Sequence, residues 1–436
     1  MPPPLTETSN PPFTPVAVET TALQRHLDFV RKSSPYYRKL WENVPSGEQA
    51  SLDVYPIVDH TSYWAGHGIS RSEIITGSHD DGIILNTGGT TSHPKVTLIS
   101  KDELRTTSYQ LGLGILAAGI RPYDRVANLF YAGDLYGSFL LHILSIMDIG
   151  VPLVQLPIGG SCEPDKIIQH MRQLNATVVF ATATTIYRLA KYLVAENNIL
   201  SAVHRLMFSG EPFYEDQREV VARAFPSATI KSLVYGSIDA GVLGYSTPDE
   251  DLRIHVVNSP SVILEIVPDG STTPTTRHGV SGSLLVTNMA RKLQPVVRYP
   301  CGDKAEWVDY KNQTFRLLGR DRQTIRLGPV SIDFTDLHDI VASALPPRTL
   351  QALQAVITRE CSIDQLTIRL VCENLAQDST DTVRESIAKA LDMRRPMFQD
   401  HVKRRLVNPL KVSIVSLEDF DINPRTGKQV QVVDKR

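Results

Sequence analysis

From Asp81 onward the chain alternates between two kinds of segment, and that alternation limits the fold more than any other feature. Short apolar, β-branched runs (GIILN, KVTLIS, RVANLF, VPLVQL, TVVFAT, HRLMFS, TIKSLVYG) are interleaved with segments whose apolar residues recur every three or four positions (KDELRTTSYQLGLGILAA, PDKIIQHMRQLN, TTIYRLAKYLVAENN, YEDQREVVARAF). The first kind suits strands and the second amphipathic helices. Parallel strands need long crossovers, which helices supply. The pattern therefore predicts an α/β fold with a largely parallel, doubly covered sheet. Ser100 stands three residues ahead of Glu103, a capping-box spacing that starts a helix at Lys101.

Elsewhere the pattern changes. Between about Arg253 and Leu318 the helical period vanishes and strand-like pieces follow one another: RIHVV, VILEIV, GSLLVTN, PVVRYP, KAEWV and TFRLLG. This predicts a β-rich subdomain over 253–318. Past LLGRDRQTIRLGPV, the segments ITRECS, LTIRLVCE, VRESIAKALDM and VSIVSLEDF predict a small α+β unit. A boundary near Arg320 divides an N-terminal domain (16–319) from a C-terminal one (320–436), and 436 residues suit two or three domains. LQRHLDFVRKSSPYYRKLWENV predicts a helix, and the proline-rich residues 1–15 predict disorder.

A net charge of −2 gives no electrostatic footprint for nucleic acid or an anionic membrane. The basic run His401-Val402-Lys403-Arg404-Arg405 reads as a solvated face. SFLLHILSIMDIG, the most apolar helical candidate, is too short to span a bilayer and carries His142 and Asp148. Cys162, Cys301, Cys361 and Cys372 lack CxxC spacing, which argues against a zinc site or a disulfide framework. The first residues show no basic stretch followed by an apolar one, so the expectation is a cytoplasmic protein.

Between two β-like runs lies LNTGGTTSHPK. Glycines let backbone N–H groups approach a polyphosphate and hydroxyls donate to its oxygens. A P-loop is excluded: GxxxxGK[ST] between strand and helix is required, and neither the glycine nor the flanking helix is here. A polar hairpin tip that binds nothing is the other reading of the same residues. Four more segments sit at turns: Phe208–Pro212 (FSGEP), Tyr235–Asp239 (YGSID), Arg298–Asp303 (RYPCGD) and Asn423–Lys428 (NPRTGK). Two of them end predicted strands, where ligands sit in open α/β sheets.

In this order the segments resemble the adenylate-forming acyl- and aryl-CoA ligases, and most closely the phenylacetate–CoA ligase branch. The resemblance runs from SSPYYRKLW and YPIVDH to PRTGKQVQVVDKR. It implies ATP, Mg2+ and CoA as cofactors, a small carboxylic acid as substrate and, by the habit of the branch, a homodimer. It also implies that a carboxylate attacks the α-phosphate of ATP, so that two anions must meet under charge neutralisation. Lys428 is the implied catalytic residue. Thr87, Gly88, Gly89, Thr90 and Thr91 would hold the β- and γ-phosphates, with Lys95 as an anchoring charge. Gly210, Glu211 and Pro212 would lie along the adenine and Tyr235 would stack on it, followed by Gly236 and Ser237 in the same segment. Asp303 and Arg320 would bind the ribose, and Asp239 would be the magnesium-side carboxylate. The acid pocket is expected beside YAGDLYGSF, with Tyr131, Tyr136 and Phe139 as its lining, a set that suits a flat aryl acid; each is equally an ordinary core aromatic.

The chain departs from the family pattern at three places. Ile238 stands before Asp239 where a hydroxyl and a glutamate are usual. Arg322 occupies the hinge position, and Gly328-Pro329 replaces an Arg-Gly turn that belongs to thioester formation. Gln431 follows the GK pair where a basic residue is common, and Lys435 is a second candidate for the catalytic lysine. The cysteine-rich insertion of many relatives is missing. These departures keep open an acceptor other than CoA, either a carrier-protein thiol or an amine, and a relative that only binds nucleotide or acyl group.

Overall fold

Ser34 and Pro35 interrupt the first helical stretch. Helix α1 (Thr20–Ser33) stops there, and α2 (Pro35–Leu40) restarts with Ser34 as its N-cap. Proline cannot donate to a preceding turn but suits a helix start, so the single expected helix is two. Asp59 then caps α3 (His60–Ala65). Tyr37 and Tyr63 both donate to the Pro295 carbonyl, at 3.2 and 3.0 Å, which fixes this N-terminal layer on the later β-rich part. The computed structural model describes residues 18–45, 51–67, 72–86, 96–133, 135–213, 215–320, 324–346, 349–372, 380–416, 419–421 and 430–436. The expected disordered segment 1–15 lies outside them.

Strands β1 (Ile83–Asn86) and β2 (Val96–Ile99) form an antiparallel hairpin, with Asn86 opposite Val96. Helix α4 (Lys101–Ala117) starts on the expected capping box. Glu103 has a second use there: it is 5% exposed, pairs with the buried Arg291, and accepts the N–H groups of Lys292 and Leu293.

The alternation follows as β3 (Arg125–Asn128), α5 (Ser138–Asp148), β4 (Val154–Pro157), α6 (Pro164–Gln173), β5 (Val178–Ala181), α7 (Ala183–Ala195), β6 (Arg205–Phe208), α8 (Glu215–Ala224) and β7 (Thr229–Ser232). The five strands make a parallel sheet in the order β4-β3-β5-β6-β7. One apolar cluster packs α6, α7 and α8 on one face; a second packs α4 and α5 on the other. The order reverses between β3 and β5, so the crevice for a ligand opens at their carboxyl ends.

TIKSLVYG is not one strand. It splits at the buried Leu233 into β7 and β8 (Val234–Ser237), and β8 belongs to a different sheet. With β9 (Gly241–Ser246), β10 (Ile254–Val257), β11 (Val262–Val267), β12 (Ser281–Asn288), β13 (Tyr299–Asp309) and β14 (Thr314–Arg320) it builds a seven-stranded antiparallel sheet, ordered β11-β12-β13-β14-β10-β9-β8. The β-rich part thus begins well before Arg253.

Beyond it come the hairpin β15 (Thr324–Leu327) and β16 (Val330–Asp333), α9 (Phe334–Ser343), β17 (Leu350–Glu360), β18 (Ile363–Cys372), α10 (Thr380–Arg394), α11 (Pro396–Lys403), β19 (Lys411–Ile414) and β20 (Val432–Asp434). A four-stranded sheet in the order β19-β18-β17-β20 packs with these helices around a cluster drawn entirely from residues Ile325 onward. Among the described residues, no helix is long and apolar enough to cross a membrane.

Candidate active site

The loop carrying Thr87, Gly88, Gly89, Thr90, Thr91 and Lys95 lies outside the described residues, but its roots do not. Asn86 N–H donates to the Leu135 carbonyl at 2.9 Å, tying β1 to the YAGDLYG segment. A Cβ on Gly137 would stand 2.8 Å from Leu85 Cδ1 and 3.0 Å from Ile238 Cδ1. The ends of the phosphate-loop segment, the acid-pocket segment and the YGSID segment therefore meet at one glycine. Lys428 and Arg322 also lie outside the described residues. The ends of the Lys428 loop are closed by the buried Gln354, whose amide donates to the carbonyls of Asp421 and Val430 at 3.0 and 2.8 Å. Lys435, the other candidate, pairs with Asp421 at 3.2 Å at that loop's base.

Tyr235 donates its hydroxyl to Asp303 Oδ2 at 2.7 Å. Three strands separate β8 from β13 in the sheet. Four interstrand steps in a flat sheet would span about 19 Å, so the sheet must coil to bring these groups together. The Tyr235 ring also meets His255 and Phe315 on the same inner face. Asp303 stands opposite Arg320 in the β13–β14 register, so the two residues expected at the ribose share one rung; Arg320 is described in its backbone. Gly236 lies where a Cβ would be 2.4 Å from the Gly241 carbonyl, and Ser237 Oγ accepts Ala240 N–H.

Asp239 follows β8. One carboxylate oxygen accepts the Tyr299 hydroxyl at 2.7 Å and the other the Ala240 N–H at 3.1 Å. Trp64 Nε1 in turn donates to Tyr299 at 2.9 Å. Sequence reasoning missed Tyr299 and Trp64, although both sit in or next to segments it quoted, RYPCGD and YPIVDH.

In the segment expected along the adenine, Gly210 turns the chain at φ +87° and Pro212 is exposed. Glu211 is buried, and its carboxylate accepts the Thr184 N–H at 2.6 Å and the Thr184 hydroxyl at 2.8 Å. It caps the start of α7, where the helix dipole favours an anion, so that carboxylate is engaged within the protein. Burial pushes the Glu211 carboxyl above the usual range, while the Thr184 donors and the Arg326 charge pull it back.

Of the three aromatics expected at the acid pocket, Tyr131 and Tyr136 stay near one another and Phe139 does not. Phe139 packs into the cluster beneath the parallel sheet. Tyr136 is half-buried near Arg326 and Glu211, and burial raises its phenol above its ordinary value. Tyr131 lies under Arg404, 5.5 Å from its ring, and 5.7 Å from the His401 ring, both contributed by the far end of the chain.

Those contacts border a cavity of about 690 Å³ lined from both sides, by Arg188, Lys191 and Glu211 and by Gly328, Lys403 and Arg405. Gly328 (φ +54°) comes so close that a Cβ would lie 3.1 Å from Thr184 Oγ1 and 3.2 Å from Glu211 Oε2. Its N–H donates to Asp364, which also binds Arg359 and Arg436 at 2.8 and 2.7 Å. The basic run read as a solvated face thus belongs to a cleft wall; only tertiary packing brings Arg188 and Lys191 opposite it.

No protein-family model matches the chain. It is 22% identical over 450 residues to a phenylacetate–coenzyme A ligase of Thermus thermophilus, with 96% of each chain covered. Among solved structures it is similar to a 2-hydroxyisobutyryl-CoA ligase complexed with 2-HIB-AMP and CoA in the thioesterification state, with TM-score 0.69, 18% identity and coverage of 95% and 88%. That ligase in its postadenylation state matches with TM-score 0.61 and 18% identity, over 96% and 89%. The amide bond synthetase McbA from Marinactinospora thermotolerans matches with TM-score 0.56 and 17% identity, over 96% and 82%. The resemblance drawn from the motifs is borne out across nearly the whole chain, and the fold is that of the adenylate-forming ligases.

Proposed function

We propose that this protein is an ATP- and Mg2+-dependent ligase that converts a small aromatic carboxylic acid to its acyl-adenylate, releases pyrophosphate, and passes the acyl group to CoA. The observation that carries the reading is the 2.7 Å bond between Tyr235 and Asp303, across a sheet that must coil to make it. It joins the two residues assigned to adenine and ribose, with Arg320 on the next strand. Asp239 suits a magnesium ion that keeps several waters and takes its other ligands from phosphate oxygens, as Mg2+ on nucleotides does. Among the described residues no group of three or more His, Cys, Asp and Glu side chains could hold a metal by itself, so the nucleotide would complete the shell. Lys428, on a loop whose ends Gln354 closes, would neutralise the approaching carboxylate and α-phosphate. Tyr131 and Tyr136 would contact the acid. The division near Arg320 belongs to the same proposal, with the second domain carrying Lys428 to the first.

CoA is supported by the basic cleft, where Arg188, Lys191, Lys403 and Arg405 could receive its phosphates. The amide bond synthetase match favours an amine as the second acceptor to test. Purified protein given ATP, Mg2+ and benzoic, phenylacetic and fatty acids should release pyrophosphate with the aromatic acids and then consume CoA. Release with long chains alone rejects the aromatic pocket. Release without CoA consumption favours another acceptor, and no release with any acid rejects adenylation. Lys428→Ala should abolish release and leave ATP binding largely intact.

A further inference from the structure

Tyr299 and Trp64 form a short chain of hydrogen bonds that ends on Asp239, and the chemistry of its members fixes where each proton lies. Trp64 Nε1 is 2.9 Å from the Tyr299 hydroxyl oxygen, which is 2.7 Å from Asp239 Oδ2. An indole N–H can only donate, and an ionised carboxylate can only accept. The phenol oxygen therefore accepts from Trp64, and its one proton points to Asp239. Such an O–H···O⁻ bond is among the stronger hydrogen bonds available to a side chain.

The phenol has little freedom to do anything else. Tyr299 is 1% exposed, and its ring lies 5.2 Å from that of Tyr63 and 5.6 Å from that of His60. On the opposite oxygen Asp239 accepts the Ala240 N–H at 3.1 Å. The carboxylate is thus held from two sides, by donors from α3 through β13 and from its own turn.

We propose that Tyr299, oriented by Trp64, is a positioning residue that holds Asp239 for the magnesium ion of Mg2+·ATP. This rests on the adenylation reading above. Where the resembled family has glutamate, Asp239 is one methylene shorter, and a carboxylate on a shorter stem needs its direction fixed from outside. Outer-sphere hydrogen bonds of this kind commonly set metal affinity by about 10–100-fold.

The test is calorimetry of ATP binding, once with Mg2+ and once with EDTA, together with the Mg2+ dependence of pyrophosphate release. Tyr299→Phe keeps the ring and removes the donor. It should weaken binding of Mg2+·ATP by about tenfold or more and raise the half-saturating Mg2+ concentration in step, with ATP affinity in EDTA unchanged. Trp64→Phe, which frees the phenol proton to turn, should show the same selective loss at smaller size, and it carries the comparison if Tyr299→Phe does not fold. Wild-type Mg2+·ATP affinity in Tyr299→Phe overturns the assignment. So does an equal loss in EDTA, which marks a purely structural role. A wild-type protein whose ATP affinity ignores Mg2+ overturns the magnesium reading itself, and the clamp with it.

Discussion

The ribose role proposed for Asp303 needs a carboxylate held in place, and Tyr235 holds it by one oxygen at 2.7 Å. Asp303→Asn would put an amide where two acceptor oxygens stand. Hydrogen bonds to charged groups contribute about 1.5–3 kcal/mol, so KM for ATP in pyrophosphate release should rise by roughly 10–100-fold. An unchanged KM would remove Asp303 from the ribose site. Glu211 makes a different demand because its carboxyl is raised by burial. An acid whose folded-state pKa exceeds its unfolded value binds its proton more tightly when folded. Folding stability from this group therefore falls as pH climbs from the ordinary 4.5 through the raised value. Glu211→Gln has no such proton, so wild type should lose stability relative to the variant over that window. Urea unfolding from about pH 4.5 to about pH 7 checks it; a pH-independent difference between the two proteins counts against the raised carboxyl.

Gly137, the N-cap of α5, stands in a tight place: a Cβ there would lie 2.8, 3.0 and 3.2 Å from the Cδ1 atoms of Leu85, Ile238 and Leu141, so those side-chain ends must shift. Overpacking of this kind costs about 1–3 kcal/mol. Because Leu85 lies two residues before Thr87, Gly137→Ala should lower the melting temperature and also raise KM for ATP, which kinetics and a thermal melt check together. The same contact shows what Ile238 does in place of a hydroxyl. It packs with Leu85 and Leu141 in one apolar cluster, so it fixes the end of β1 by contact. Elements like α4 were legible in the sequence because their signals are local, as with Ser100 and Glu103. Leu233 was not, since alternation marks a strand without saying which sheet it joins. Phe139 was ambiguous for a related reason: an aromatic between glycines has the same spacing whether it faces a pocket or a core. Tyr299 and Trp64 are 235 residues apart, and no local period could have paired them.

Across the whole molecule, the cleft is made only when the part from Ile325 onward sits against α7 and the Tyr131 segment. Gly328 reaches the start of α7, and Arg404 covers Tyr131. Gly328→Ala would add a Cβ at φ +54°, a left-handed conformation costing about 1–2 kcal/mol, and crowd Thr184 and Glu211. It should slow CoA consumption several-fold more than pyrophosphate release, whereas equal slowing would detach the turn from the second step. The cleft's charge gives the sharper test of the acceptor. Arg188, Lys191, Lys403 and Arg405 lie on opposing walls, and attraction between exposed charges is screened at about 10 Å in 0.1 M salt. If the cleft receives CoA by its phosphates, KM for CoA should rise with salt, and rise less for dephospho-CoA, which lacks one of them. Lys403→Ala combined with Arg405→Ala should flatten that salt dependence while pyrophosphate release holds steady. A neutral amine acceptor has no phosphate for these cations to attract, so a KM indifferent to salt and to both substitutions would turn the assignment from CoA to an amine.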